Sequence, residues 1–146
     1  MDETDRAIVR VLQINGRASN IEIARQVGVT ETTIRKRLAA LLDGQYVQVV
    51  AVPTPKLTGS TVSAILGISV QLRALRAVAE ALTRCPEVRY CGVSTGRYDL
   101  IVEAFFLDHE HLVTFLTKVL GPLEGVTAVE TSVILQIEKF SYEWEI

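Results

Sequence analysis

The sequence predicts an α+β chain in two parts, helices alone up to residue 45 and alternating strands and helices from residue 61. Three observations carry this reading. Apolar residues recur at helical spacing in three short segments before residue 45. The period becomes two at Thr61, with Val62, Ala64, Leu66, Ile68 and Val70 on one face and Thr61, Ser63, Gly67 and Ser69 on the other. Between the two regimes Pro53, Pro55 and Gly59-Ser60 mark a connector in which the prolines forbid a helix. The expected division is residues 1–52, a linker at 53–60, and residues 61–146.

The first helix opens on Asp2, Glu3 and Asp5, carries Ile8, Val11 and Leu12 inward, and ends at Asn15-Gly16. Ser19 with Glu22 forms a capping box for the second, whose buried face is Ile23, Ala24 and Val27 and whose stop is Gly28. The third is capped by Thr30 and runs to about Asp43, with Ile34, Leu38, Leu41 and Leu42 inward and Gly44 as its stop. Residues 46–52, β-branched, read as a short strand, which makes the unit a winged variant of a helix-turn-helix.

In the second part, Leu75, Val78, Ala79 and Leu82 form a helical stripe closed by Pro86. Strands follow at about 88–95 and 99–106, joined through Gly96-Arg97-Tyr98. Asp108 caps a helix with Leu112, Phe115, Leu116 and Val119 inward, ended by Gly121-Pro122, and Val126 to about Lys139 is the last strand. This order is β-α-β-β-α-β, the ferredoxin-like motif, with both helices on one sheet face. Nothing in the remaining chain can cover the other face, so a homodimer built sheet against sheet is expected.

Composition narrows the function classes. At 49% hydrophobic and 22% charged, the 146 residues have the balance of a folded chain and not of a disordered one. A run of about 18 apolar residues, the least a membrane-crossing helix needs, occurs nowhere. Residues 1–20 carry acidic side chains where a signal peptide would be positive, so a cytoplasmic location without a membrane partner is expected. Cys85 and Cys91 are too few for a disulfide framework and lack metal-ligand spacing. The net charge is −2, yet residues 1–50 are net +1 and the remainder net −3, with Arg35, Lys36 and Arg37 consecutive. The front of the chain is where a polyanion would bind.

Residues 19–43 have the parts of a helix-turn-helix: small Ala24 where helices cross, Gly28 for the turn, and Ile34 anchoring the second helix. Its exposed side offers Glu31, Thr32, Thr33, Arg35 and Lys36, which can bond base edges and phosphates. A plain helical hairpin with a solvated charge run fits the periodicity equally well. Two other patterns do not survive. Gly92-Val93-Ser94-Thr95-Gly96 matches a nucleophile elbow, but a strand follows where that motif needs a helix. His109 and His111, two apart on a helix, do not share a face and make no metal site. Neither catalytic residues, metal nor cofactor are expected.

The whole chain resembles the leucine-responsive regulator family of transcription regulators (Lrp/AsnC). The matching residues are Asp2-x-x-Asp5 with Ile8-Val9, Gly16-Arg17-x-Ser19, Glu22-Ile23-Ala24-x-x-Val27-Gly28-Val29-Thr30, and Ile34-x-x-Arg37-Leu38-x-x-Leu41. They continue through Pro86-Glu87-Val88, Thr95-Gly96-Arg97-Tyr98-Asp99-Leu100, and Gly125-Val126 to Lys139. The resemblance implies an N-terminal domain that binds double-stranded DNA at an imperfect palindrome, a C-terminal domain that binds a small effector, usually an amino acid, and dimers assembling further, often to octamers. It implies an effector beside 95–99 and near 131–133. Three positions depart from the pattern: Ala39-Ala40 where many relatives carry a basic residue, Gly44-Gln45 before the wing, and Arg97 where an acidic residue is common.

The expected DNA-reading surface is Thr32, Thr33, Arg35, Lys36 and Arg37, flanked by Glu31, with Ser19 and Thr30 mainly as caps. Arg37 can equally brace the helix against an acidic side chain. For the effector, which the resemblance places between dimers, Gly96 and its neighbours Thr95 and Arg97 offer donors to a carboxylate, Tyr98 a wall, and Asp99 a partner for an ammonium; Thr131 and Ser132, with Val133 beside them, complete the site from the last strand of a neighbouring subunit. A tight hairpin with Asp99 as a turn cap is the plain alternative for this loop. Two other functions compete: an amino-acid sensor without DNA binding, and an enzyme resembling the siroheme decarboxylases, which the two adjacent histidines disfavour.

Overall fold

In a computed structural model, which describes residues 1–139, 141 and 144–146, the carboxylates that open the sequence start the first helix as their chemistry dictates. Asp2 caps α1 (Glu3–Ile14) in a reciprocal box with Asp5, Ser19 caps α2 (Asn20–Val27) in one with Glu22, and Thr30 caps α3 (Glu31–Asp43) by accepting from Thr33 N. Each side-chain oxygen satisfies an amide the helix leaves without a partner. The three helices enclose a core of Ile8, Val9, Ile23, Ala24, Ile34 and Leu41. Val9 is buried with them, Val11 and Leu12 pack against this core partly buried, and Leu42 lies 40% exposed instead of inward.

The end of α3 departs from expectation. Gly44 keeps a right-handed backbone, and Gln45 takes the left-handed conformation at φ 57° that reverses the chain. Tyr46 N then bonds Leu41 O. Residues 46–52 form no strand, so the unit has three helices and no wing strand among the described residues. A β-prone segment becomes a strand only with a partner edge, and none is supplied here. In the linker, Pro55–Thr58 makes one helical turn, α4, against the expectation that the prolines exclude it. Pro55 occupies its first position, where a missing N–H costs nothing.

The second unit is a four-stranded antiparallel sheet in the order β2-β3-β1-β4, with β1 Val62–Val70, β2 Val88–Val93, β3 Leu100–Phe106 and β4 Val126–Ile134. The alternation in β1 and β3 buries Leu66, Ile68, Leu100, Val102 and Phe106 against Val78 and Leu82 of α5 (Leu75–Thr83) and Leu112 of α6 (His109–Thr114). A 3₁₀ turn at Leu72–Ala74 precedes α5. β4 stops at Ile134, short of the expected 139, where its pairing with β1 ends opposite Ser63.

After Thr114 the last helix widens into a π turn over Phe115–Leu120, with Gly121 N bonding Leu116 O. The inward stripe rotates by one residue. Leu120 is fully buried, and Val119, expected inside, is 36% exposed. The chain divides into Met1–Val52 with Lys139–Ile146, and Pro53–Glu138. The tail 139–146 therefore groups with the first unit and not with the second, where the sequence reading had it; Arg10 donates to the Ile146 carbonyl and Trp144 N to the Gln13 side chain.

The rotated stripe has a measurable consequence. Leu120→Ala should cost about 2–5 kcal/mol in denaturant unfolding, as emptying a filled core site does, whereas Val119→Ala should stay within about 1 kcal/mol. Equal losses would mean a regular α-turn.

Candidate nucleic-acid and effector interfaces

On α3 the stripe Ile34, Arg37, Leu38 and Leu41, spaced i, i+3, i+4 and i+7, faces the core of the first unit. Thr32, Arg35 and Lys36 face water. Arg35 pairs with Glu31 one turn back, an exposed bond that adds little stability. Lys36 has no acidic partner among the described residues. Ala40 leaves a groove of about 490 Å³ beside it, bordered by Tyr46. Thr33 is half-buried and its hydroxyl bonds that of Thr30 at 2.8 Å, so both work on the helix start, as Ser19 does with Glu22 at the start of α2.

Arg37 turns away from this surface. Its Nη1 lies 2.7 Å from Asp2 Oδ2 and 2.9 Å from Asp5 Oδ1. The Asp5 amide, then the Arg37 guanidinium, hold the Asp2 carboxyl below the usual carboxylate range; the Asp2 amide, then Arg37, do the same for Asp5. The signal was present in the sequence, since Arg37 follows Ile34 by three and precedes Leu41 by four.

The loop between β2 and β3 is tied to β1. Asp99 Oδ2 accepts from Val70 N at 2.7 Å, Asp99 N donates to Ile68 O, and Ser94 N donates to Asp99 O. Asp99 is thus a strap for the loop. Gly96, at φ 108°, supplies a backbone shape that other residues rarely adopt. The Tyr98 ring lies on Gly67 so closely that a Cβ there would come within 2.6 Å of it. Arg97 stacks over Tyr98, 5.3 Å from the ring centre, and pairs with Glu130 Oε2 at 2.7 Å. A hydrogen bond to Glu130 raises the Tyr98 phenol above its ordinary pKa.

Glu130 is not among the residues the sequence singles out, and the register of β4 is what brings it to this loop. Glu130 and Ser132 lie opposite Gly67 and Ile65 on the face that carries Tyr98, while Thr131 and Val133 lie opposite Leu66 and Ala64 on the helix-covered face. The structure therefore gathers Arg97, Tyr98 and Glu130, and turns Thr131 and Val133 away from them. His111, from the rejected metal pattern, bonds Glu87 at 3.0 Å and accepts from Leu107 N, and burial raises the pKa of both thiols.

A helix-turn-helix with a solvated cationic face, followed by a split βαβ sheet bearing an ion pair on its uncovered side, is the architecture of the transcriptional regulators whose DNA-binding and ligand-binding domain models match this chain. Residues 1–42 match the AsnC-type helix-turn-helix domain and residues 63–144 the Lrp/AsnC ligand binding domain, so the chain belongs to the Lrp/AsnC family. An HTH-type transcriptional regulator of Pyrococcus furiosus is 34% identical over 97% of this chain and 97% of its own length. Regulator FL11 of the same organism is 31% identical over 98% of this chain and 95% of its own. A transcriptional regulator of Neisseria meningitidis, solved as a complex with L-Met, aligns at a TM-score of 0.94 and 29% identity, covering 99% of this chain and 96% of that one. E. coli AsnC has the same fold at 0.89 and 23% identity, covering 96% and 95%.

The Asp2 and Asp5 pKa values are depressed, so the stability these carboxylates contribute is complete above the unfolded value of about 3.9 and is lost as pH falls through the lower folded values. The melting difference between wild type and Asp2→Asn should hold steady from about pH 7 to 5 and close below about pH 4. A difference that closes near neutrality would exclude these carboxylates as its source.

Proposed function

We propose that the chain reads double-stranded DNA with the outer face of α3, and that a free amino acid bound beside the 94–99 loop modulates this. The observation that carries the first half is the sorting of α3: Ile34 and Leu41 are buried, while Thr32, Arg35 and Lys36 are turned to water. A hydroxyl can bond a base edge, a guanidinium can take guanine or phosphate, and an ammonium can take phosphate. Glu31 can release Arg35 at little cost, because their bond is exposed.

For the effector, Arg97 and Glu130 offer one cation and one anion, 76% and 52% exposed, to the carboxylate and ammonium of a zwitterion. The ammonium goes to Glu130, because Asp99 is engaged with Val70 N. Tyr98 provides the wall, with the Thr95 and Gly96 amides and Ser132 at the margin. The likeness to a regulator solved with L-Met supports an amino acid over other small molecules.

Assembly follows from the uncovered sheet face, where Ile65, Ile101 and Phe105 remain only half-buried. Pairing two such faces makes a homodimer, which presents two α3 helices and calls for an imperfect palindrome with half-sites a turn apart or a multiple of it. Further association to an octamer and a cytoplasmic location complete the reading. Sedimentation of a monomer at micromolar concentration would refute the dimer.

Lys36→Ala should weaken binding to all DNA and lower the slope of log K against log salt by about one, measured by gel shift on DNA from upstream of the protein's own coding sequence. An unchanged slope removes Lys36 from the interface. Calorimetry with the twenty amino acids should find at least one ligand, and Glu130→Gln should weaken it by about 10- to 100-fold, the worth of a charged hydrogen bond. Undiminished binding to Glu130→Gln rules out the ammonium assignment.

A further inference from the structure

Two carboxylates at the start of α1 meet the middle cation-rich turn of α3 in an arrangement that uses all four of their oxygens. Asp2 Oδ1 accepts from Asp5 N at 3.1 Å and Asp5 Oδ2 from Asp2 N at 2.8 Å, which closes the capping box of α1. The two remaining oxygens, Asp2 Oδ2 and Asp5 Oδ1, both take Arg37 Nη1. The Asp5 side chain is only 14% exposed and that of Arg37 34%, while Asp2 is 55% exposed, and the Met1 ammonium also lies 4.0 Å from Asp5 Oδ2. One set of groups thus fixes where α1 begins and where α3 lies against it. Lys36, the neighbouring residue on α3, has its side chain in water.

We infer that Asp2, Asp5 and Arg37 form a clamp that sets the pose of α3 for DNA, so that Arg37 is a positioning residue and two acidic side chains favour the binding of a polyanion. This rests on the reading of α3 as the DNA-reading helix. It reverses what charge alone dictates. Removing an acidic side chain near a DNA surface ordinarily raises affinity, and removing an arginine that touches phosphate lowers the salt slope. The clamp requires the opposite on both counts. Asp2, Asp5 and Arg37 together carry a summed side-chain charge of −1, so the cluster as a whole does not attract a phosphate.

The experiment is a salt series of gel shifts with the full chain on duplex DNA from upstream of its coding sequence, for wild type, Asp2→Asn, Arg37→Gln and the double variant. Asparagine caps a helix as well as aspartate does, so Asp2→Asn keeps the start of α1 and removes only the charge facing Arg37. Expected are losses in affinity of about fivefold or more for each single variant, unchanged salt slopes, and a double variant little worse than Arg37→Gln. Asp2→Asn that binds DNA more tightly, or Arg37→Gln with a slope lowered by about one, overturns the clamp and returns Arg37 to the phosphate-contacting set. The same four proteins melted without DNA read the coupling directly. Additive shifts in melting temperature overturn the clamp even if the affinities fall, and a wild type that binds no DNA while the shifts are non-additive refutes the DNA-reading role of α3 alone.

Discussion

Strand β1 is hydrogen-bonded along both edges, to β3 on one side and β4 on the other, and the second unit hangs from that double pairing. Its alternating side chains fill the core on one face, and on the other its single bare residue, Gly67, makes room for the Tyr98 ring. Its last turn of backbone, Ile68 O and Val70 N, receives both ends of Asp99. A slip of one residue in this pairing would invert every side chain and remove the seat of the loop together with the core. The surface proposed for the effector is therefore a property of strand register more than of loop sequence.

The first unit solves a different problem, that of a small core. Its three helices bury few large residues, and polar groups at the helix starts carry part of the specification. Asp2, Ser19 and Thr30 each satisfy an orphan amide, and Asp5, Glu22 and Thr33 answer them. Cations that look equivalent in the sequence are sorted by helix angle: Arg37 is spent inside the fold, Arg35 is lightly held, and Lys36 stands in water. Formal charge counts overstate the positive surface for this reason.

Much of this was legible in the residues. The three capping signals, the period of two in β1 and the βαββαβ order are local patterns, and local patterns survive folding. What was not legible depended on partners distant in the chain. Residues 46–52 have strand composition and no strand to pair with. Val119 and Leu120 exchanged places because one wide turn rotated the stripe, which no helical periodicity foretells. Thr131, Ser132 and Val133 are adjacent in sequence, but the strand sends Thr131 and Val133 to one face and Ser132 to the other, and only the register with Gly67 puts Glu130 beside Arg97. Asp99 could be an acceptor for a ligand or for the backbone, and its bond from Val70 N depends on a residue 29 positions away.

The connector carries one more consequence. From Val47 to Val52 the backbone enters no helix or strand, Val49 and Val50 are exposed, and Lys56 follows in an exposed single turn. Accessible backbone outside regular structure is what a protease active site accommodates, and Lys56, in the exposed turn just beyond it, offers trypsin its residue. A cut after Lys56 leaves α1 to α3 on one fragment and Trp144 and Ile146 on the other, although these two bond Gln13 and Arg10 of α1. Those bonds would then run between two peptides, a non-covalent contact made from what had been one chain.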